Sequence, residues 1–393
     1  MKPGHAEIAG GGFAGLTLAV GLAAAGWSVK VHERSAKIRE IGAGIFIHAN
    51  GLSVLKDLGL MDVLATRGVR LERDMMIDAK GKVLQNRGLL GDSVVWSFPR
   101  LALIEALHAK AVEVGVEIQT GSEIASAKPD GSLIDVTGTR YQGDLVVGAD
   151  GYRSAVAKSL GLQRHERKMG TTSIRFLLNG RDLTPDPMTT EHWSGRRRIA
   201  VAACGPEHTY VYMACPETDE PGSEVPLNVD SWAKSFPQIR ELFVLLREEE
   251  AYKAWYSYAQ TTPWSQGNAV VVGDAAHALA PTLGQGSNLA MSNARSLVTF
   301  LNESNSVSQA LEQWEKKVRY VTDSTQKWAS RYNDITKAWP PALSFVRARI
   351  IWGFGASKKL NAHLRLADRT PPVLGAPGNG LPSDGTGPGG EVA

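Results

Sequence analysis

Cysteine is nearly absent: Cys204 and Cys215 are the two in 393 residues. They form no Cys-x-x-Cys pair and neither flanks a glycine-rich turn, which argues against a dithiol redox centre and a thiolate zinc site; no metal is expected. A large excess of one charge is missing too. The formal net charge is +3, and the one dense basic run, Arg196-Arg197-Arg198, is three residues long and reads as a solvated loop, so nucleic acid is not an expected partner. No apolar run approaches the roughly 18 residues of a membrane span. The stretch Leu16–Ala25 follows glycines rather than a cationic leader, so it reads as a core helix and not a signal peptide. A cytoplasmic protein without a membrane partner is the expectation. Neither an internal repeat nor a Trp-x-Trp-x-Ile-Pro run is found.

What is present is an ordinary globular composition, 43% hydrophobic and 21% charged, in a chain long enough for two or three lobes. The first 60 residues read strand, glycine-rich turn, helix, strand. Helical spacing recurs at Leu103, Ile104, Leu107, Ala111 and Val114. Leu145–Val147 and Ala269–Val272 are short apolar runs ending in Gly-Ala-Asp and Gly-Asp, the pattern of buried parallel strands whose C-terminal ends meet a ligand. From about Thr171 to Thr262 the pattern alternates, which predicts an inserted antiparallel sheet. The expected fold class is α/β: a Rossmann-like dinucleotide-binding domain (1–72, 96–170 and 263–300), an inserted antiparallel-sheet substrate domain (73–95 and 171–262) and C-terminal helices (301–369). The Gly/Pro-rich Thr370–Ala393 reads as a disordered tail.

Three motifs carry chemistry. Gly10-x-Gly12-x-x-Gly15, with Phe13 and Ala14 inside it, follows a strand and opens a helix. Glu33, followed by Arg34, ends the next strand where a ribose hydroxyl needs an acceptor. The glycines let backbone N–H groups approach a pyrophosphate at a helix N-terminus. This motif alone does not separate NAD from FAD. The second motif is Asp144-Leu-Val-Val-Gly148-Ala-Asp150-Gly151. The third is Val272-Gly273-Asp274, running on through His277, Pro281, Gly284, Gln285, Gly286, Ser287 and Asn288. A second strand–Gly–Asp turn some 240 residues after the first has no use in an NAD dehydrogenase. It suits FAD, whose ribityl chain lies far from its adenosine. A helix starting near Gly286 would turn its positive end to the ring.

In this order the motifs resemble the class A flavoprotein aromatic hydroxylases, the para-hydroxybenzoate hydroxylase family, over nearly the whole chain apart from the tail. The resemblance implies a monooxygenase using FAD, NADH or NADPH, and O₂ on a small aromatic acid. It places Glu33 at the adenine ribose, Asp274 at the ribityl chain, Arg100 at the flavin side, and Asp150 in a motif shared by FAD and the pyridine nucleotide. Asn293-Ala294 departs from the Asp-Ala pair usual in the family. The segments AEIAGGGFAGLT, GAGIFIHANGLSVL and VVVGDAAHA look most like the branch that oxygenates a hydroxypyridine carboxylate. That likeness implies substrate contacts at Arg198, Tyr210, Arg175, Tyr256 and Pro281, with Phe46 standing where that branch has a tyrosine.

His48, Tyr210 and Tyr256 are the candidates for polarising a substrate hydroxyl. His277 reads as a structural histidine, and Arg175 has a competing reading as a salt-bridge partner within the inserted sheet. Arg198 is favoured as a ligand because a buried arginine needs an anion to answer it. A benzenoid substrate such as a hydroxybenzoate, or a non-enzymatic flavin-binding role, stays open, as does the choice between monomer and homo-oligomer.

Overall fold

The structure, a computed structural model, describes residues 1–38, 42–89, 94–180, 183–338 and 362–375. Strand His5–Ala9 is central to a six-stranded sheet. It runs parallel to Ser28–Glu33 on one side and to Leu145–Gly148 on the other. Glu117–Thr120 and Ala269–Val271 extend the parallel arrangement outward, and Ser265–Gln266 adds a short antiparallel edge. Leu145, Val146 and Val147 are all fully buried. Burial at both parities means that both faces of the sheet are covered, which is why these strands read as continuous apolar runs rather than alternating ones. The helix Phe13–Ala24 is buried from Phe13 to Leu22, and packs against helices Arg100–Glu113 and Gly286–Glu303.

The second large sheet has seven strands. In order they are Tyr252–Thr262, Gln163–Asn179, His208–Pro216, Arg197–Cys204, Met188–Ser194, Arg73–Asp78 and Val83–Gly88. Its pairings are antiparallel, as expected, apart from that of Met188–Ser194 with Arg73–Asp78, which is parallel. The reason is connectivity: Arg73–Asp78 comes from a distant part of the chain and is not tied to its neighbour by a hairpin. One face of this sheet presents Ile174, Phe176, Ile199, Val211 and Met213 to Trp232, Phe236 and Phe243 of a helical cap. The period of two then puts Arg175, Arg198, Tyr210 and Tyr212 on the opposite face.

The run Arg196-Arg197-Arg198 is also corrected. Arg197 and Arg198 open a strand, and alternation sends them to opposite faces, each with its own carboxylate. Arg197 donates to Asp219 at 2.7 Å and stacks over Trp232. A three-residue run looked like solvent-facing charge because the partners, Asp219 and Glu191, are remote in sequence or a strand away.

A 31-residue helix, Val307–Lys337, and the short helix Leu366–Arg369 complete the described fold. The segment expected to be disordered starts at Thr370, yet its described part is held on helix Gly286–Glu303. Val373 N donates to Ser296 Oγ, Thr299 Oγ1 to Val373 O, and Arg295 to Leu374 O. Main-chain groups make these bonds, so a side-chain count of the segment gave no sign of them. Residues 376–393 of that expectation lie outside the described residues. Among the described residues no helix is long and apolar enough to cross a membrane, and no cluster of three or more His, Cys, Asp or Glu could hold a metal ion.

Candidate active site

The three motifs emerge at the C-terminal ends of neighbouring parallel strands, in the spatial order Gly273-Asp274, Asp150, Gly10–Gly15, Glu33. At about 4.8 Å per strand this row is about 14 Å wide, room for an extended dinucleotide. Glu33 accepts from Gly11 N at 3.0 Å and Ser35 N at 2.8 Å, which pins its carboxylate to the glycine turn. Asp150 caps the short helix Ala155–Ser159 with one oxygen, accepting from Ala155 N and Val156 N; its other oxygen is buried without a hydrogen-bond partner among the described residues. Asp274 is exposed between buried neighbours and opens the short helix Asp274–His277 that follows its strand. Arg34, next to Glu33 in the chain, is exposed. Arg100 stacks over the Phe13 ring at 4.8 Å, and its backbone N–H bonds Ala43. Ala14 is buried with Phe13 at the start of the helix.

Whether FAD fits these residues can be asked of the cradle itself. The helices starting at Phe13 and at Gly286 have no side-chain cap, so their first N–H groups face outward. A Cβ built on Gly12 or on Gly286 would meet no atom within 4 Å, so both positions border open space. With the partnerless Asp150 oxygen, this is the donor and acceptor set that a pyrophosphate flanked by two hydroxylated sugar chains would use. The residues fit the group.

Pro281–Leu283 forms a single 3₁₀ turn ended by Gly284, whose φ of +65° favours glycine. The His48 imidazole fills the side where a Gly284 side chain would point, with Nε2 3.0 Å from a built Cβ. Nδ1 of the same ring lies 3.4 Å from Asp368 Oδ1, and Asp368 is held in turn by Arg365. The His48 and Arg365 contacts outweigh burial and hold the Asp368 carboxyl below its ordinary value. Asn288, expected to touch cofactor, makes three side-chain hydrogen bonds within the protein. It accepts from His48 N and donates to Phe46 O and Gly284 O, tying the Gly44–His48 strand to this loop. Ser287 lies beside it in the first turn, half-buried.

The substrate-side residues converge across the seven-stranded sheet. Glu191, Ala200, Tyr212 and Arg175 form one cross-strand row, and Trp193, Arg198, Ala214 and Ser173 the next. Ala200, Ala214 and Ser173 leave a patch of small residues on this face, flanked by Glu191, Trp193, Arg198, Tyr212 and Arg175. Tyr210 packs its ring against Phe46 at 5.7 Å and over Gly44, which links this face to the nucleotide domain. Burial pushes the Tyr210 hydroxyl up, with Arg175 and Arg100 pulling the other way. Burial likewise pushes Tyr256 up to about 12 against the pull of Arg198 and Arg175. Both tyrosines therefore stay protonated and act as donors. The buried hydroxyls of Tyr212 and Tyr256 and Nε of Arg175 have no hydrogen-bond partner among the described residues. The competing reading of Arg175 fails: it makes no ion pair among them, only a contact over the Tyr212 ring at 5.7 Å.

Arg198 is buried as expected, but the answering anion belongs to the chain. Its Nη1 donates to Glu191 Oε1 at 3.3 Å, and its guanidinium lies over Trp193 at 5.4 Å. Glu191 was not visible as a site residue in the sequence. The one available signal was strand alternation, which puts it on the same face as Trp193. Arg164 was missed too: it stitches the second and third motifs by donating to Tyr152 O and Ala275 O.

Residues 5–328 match the FAD binding domain family. The 2-heptyl-3-hydroxy-4(1H)-quinolone synthase of Mycobacteroides abscessus is 33% identical over 84% of this chain and 90% of its own. The aurachin C monooxygenase/isomerase of Stigmatella aurantiaca is 29% identical over 78% and 83%. Among solved structures, the tetrameric form of 2-methyl-3-hydroxypyridine-5-carboxylic acid oxygenase superposes with a TM-score of 0.83 at 31% identity, covering 96% of this chain and 99% of that one. The chain belongs to the FAD binding domain family of flavoprotein monooxygenases. It is an FAD-dependent monooxygenase, with NAD(P)H and O₂ as co-substrates.

The departure at Asn293 in this monooxygenase has a local meaning. Asn293 Nδ2 donates to His277 Nε2 and to Thr322 Oγ1, both at 3.0 Å, and its backbone carbonyl accepts from Trp314 Nε1. Burial presses the His277 pKa down to about 4, so a neutral amide rather than a carboxylate suits a neutral imidazole. His277 is structural in this setting, as the sequence suggested.

Proposed function

We propose that this monooxygenase hydroxylates a small nitrogen heteroaromatic ring carrying an oxygen substituent, of the hydroxypyridine or quinolone type. The observation that carries the reading is the sheet face itself: a floor of Ser173, Ala200 and Ala214 bordered by Arg175, Tyr212, Tyr256 and Arg198, with Tyr210 and Phe46 towards the nucleotide domain. Two relatives support the ring class by their names, one a 3-hydroxyquinolone synthase and the other a hydroxypyridine carboxylate oxygenase.

Reduced FAD supplies activated oxygen to an electron-rich ring. The protein's own contribution is to hold that ring and keep water out. Arg175 offers its unpartnered Nε to a ring or carboxylate oxygen, which raises the share of the oxyanion form and so the electron density of the ring. Tyr256 and Tyr210 donate without ionising. Phe46 and the buried aliphatic surface exclude water, which would otherwise divert reducing equivalents to H₂O₂. Carboxylate-bearing hydroxypyridines are the substrates proposed from the sequence; the internal partner of Arg198 widens the class to rings without a carboxylate. The test is NADH oxidation with product detection across hydroxypyridine carboxylates, 4-quinolones and hydroxybenzoates. Coupled turnover confined to hydroxybenzoates would overturn the heteroaromatic reading.

A further inference from the structure

The substrate face has two arginines in different electrostatic states. Arg198, at one end, is buried and matched by Glu191 through a single 3.3 Å contact. Arg175 stands at the other end of Glu191's own cross-strand row, three strands away, with no carboxylate partner among the described residues. Ala200, beside Glu191, and Tyr212, beside Arg175, lie between them in that row, so the Glu191 end opens onto a small side chain while the Tyr212 ring sits with Arg175. The Glu191 side chain is mostly buried, with 21% of it accessible, and burial pushes its carboxyl up against the pull of Arg198. Its neighbours are Arg198, Asp74 on the adjoining strand and Trp193 on its own. Asp74 is occupied by Arg87 at 2.8 Å.

We infer that Glu191 is a specificity-determining residue, which cancels the charge of Arg198 so that this end of the pocket takes a neutral part of the ring while Arg175 receives the anionic oxygen. This rests on the substrate face proposed above. A carboxylate brought to Arg198 would stand within a few ångströms of Glu191, and like charges at that distance in a poorly solvated site repel strongly. A neutral carboxamide or ring N–H meets no such opposition and can use Glu191 as an acceptor. The pair therefore selects by charge, with Arg198 providing shape and a donor rather than net attraction.

The experiment uses the FAD-loaded protein and two probes with the same ring, 5-hydroxynicotinate and 5-hydroxynicotinamide. Binding is read from the change in flavin absorbance. Wild type should bind the amide at least as tightly as the acid. Glu191→Gln keeps size and hydrogen bonding but removes the charge, and should move the acid-to-amide affinity ratio towards the acid by about tenfold or more. Glu191→Asp should keep the wild-type ratio. Should Glu191→Gln fold poorly, Arg198→Met gives the opposite sign: it leaves Glu191 alone and should penalise the acid further. An unchanged ratio in Glu191→Gln, with both probes still binding, overturns the charge role and leaves the pocket proposal standing. Failure of both probes to perturb the flavin in wild type and in every variant overturns the pocket proposal and this inference together.

Discussion

At the scale of single residues, the informative groups are buried polar atoms left over after the protein has satisfied its own needs. Tyr256 has a buried hydroxyl without a hydrogen-bond partner among the described residues. Removing such a hydroxyl should not harm the fold, since it deletes an unsatisfied group rather than a bond. Tyr256→Phe is therefore expected to keep its melting temperature or gain slightly, while KM for the ring substrate rises several-fold. A melting temperature lower by many degrees would show that the hydroxyl is bonded within the protein.

His277 makes a pH prediction. Its folded pKa, about 4, lies below the ordinary 6.5, mainly because burial disfavours the cation. The unfolded chain then binds more protons between pH 6.5 and 4, so this contribution is complete above about 6.5 and is lost as pH falls towards 4. At pH 5 the loss is about 2 kcal/mol. Thermal melts of the holoprotein at pH 7.5 and 5 should show a smaller drop in His277→Gln than in wild type. Equal drops would mean that the histidine is not the titrating group.

At the scale of elements, the seven-stranded sheet works as a partition: its apolar face is sealed by helices and its polar face carries the proposed substrate residues. The C-terminal segment acts as a strap across helix Gly286–Glu303, the helix whose N-terminus faces the cofactor cradle. Asp368 on the same segment reaches His48 beside the Gly284 loop. Deleting 370–393 removes three hydrogen bonds to that helix, at about 1 kcal/mol each. The expected result is a fall in melting temperature of several degrees and weaker FAD retention. Deleting 376–393 leaves those bonds in place and serves as the control. Identical melts for the two truncations would show that the strap contributes nothing.

At the scale of the whole molecule, FAD joins what the chain separates. Motifs near residues 10, 150 and 274 contribute to one row of strand ends, and Arg164 ties the last two together. The protein is expected to purify yellow with about one FAD per chain. Asp274→Ala should lose about 1–3 kcal/mol of FAD affinity, measured by titrating apoprotein with FAD, because ribityl hydroxyls lose a charged acceptor. Full retention of FAD on dilution would place the ribityl chain elsewhere.

The dinucleotide side was legible from residues 10 to 33, and from the two Gly-Asp turns, because phosphate and sugar recognition is done by backbone N–H groups and strand-end carboxylates. Those need glycines and acids at fixed short spacings, and short spacings survive in a string of letters. The inserted sheet was legible for the related reason that alternation is local. Which residues face each other across strands was not. Glu191 lies seven residues before Arg198 in the chain and its meaning comes from a hairpin register; Asp368 meets His48 from 320 residues away; Val373 and Leu374 dock through main-chain atoms common to every residue. Sequence by itself determined the fold class and the cofactor, and it nominated the arginines and tyrosines proposed for the site. Tertiary structure alone decided which of those arginines already has its counter-charge, because the cost of a buried charge depends on what lies across the strand and not on what lies beside it in the chain.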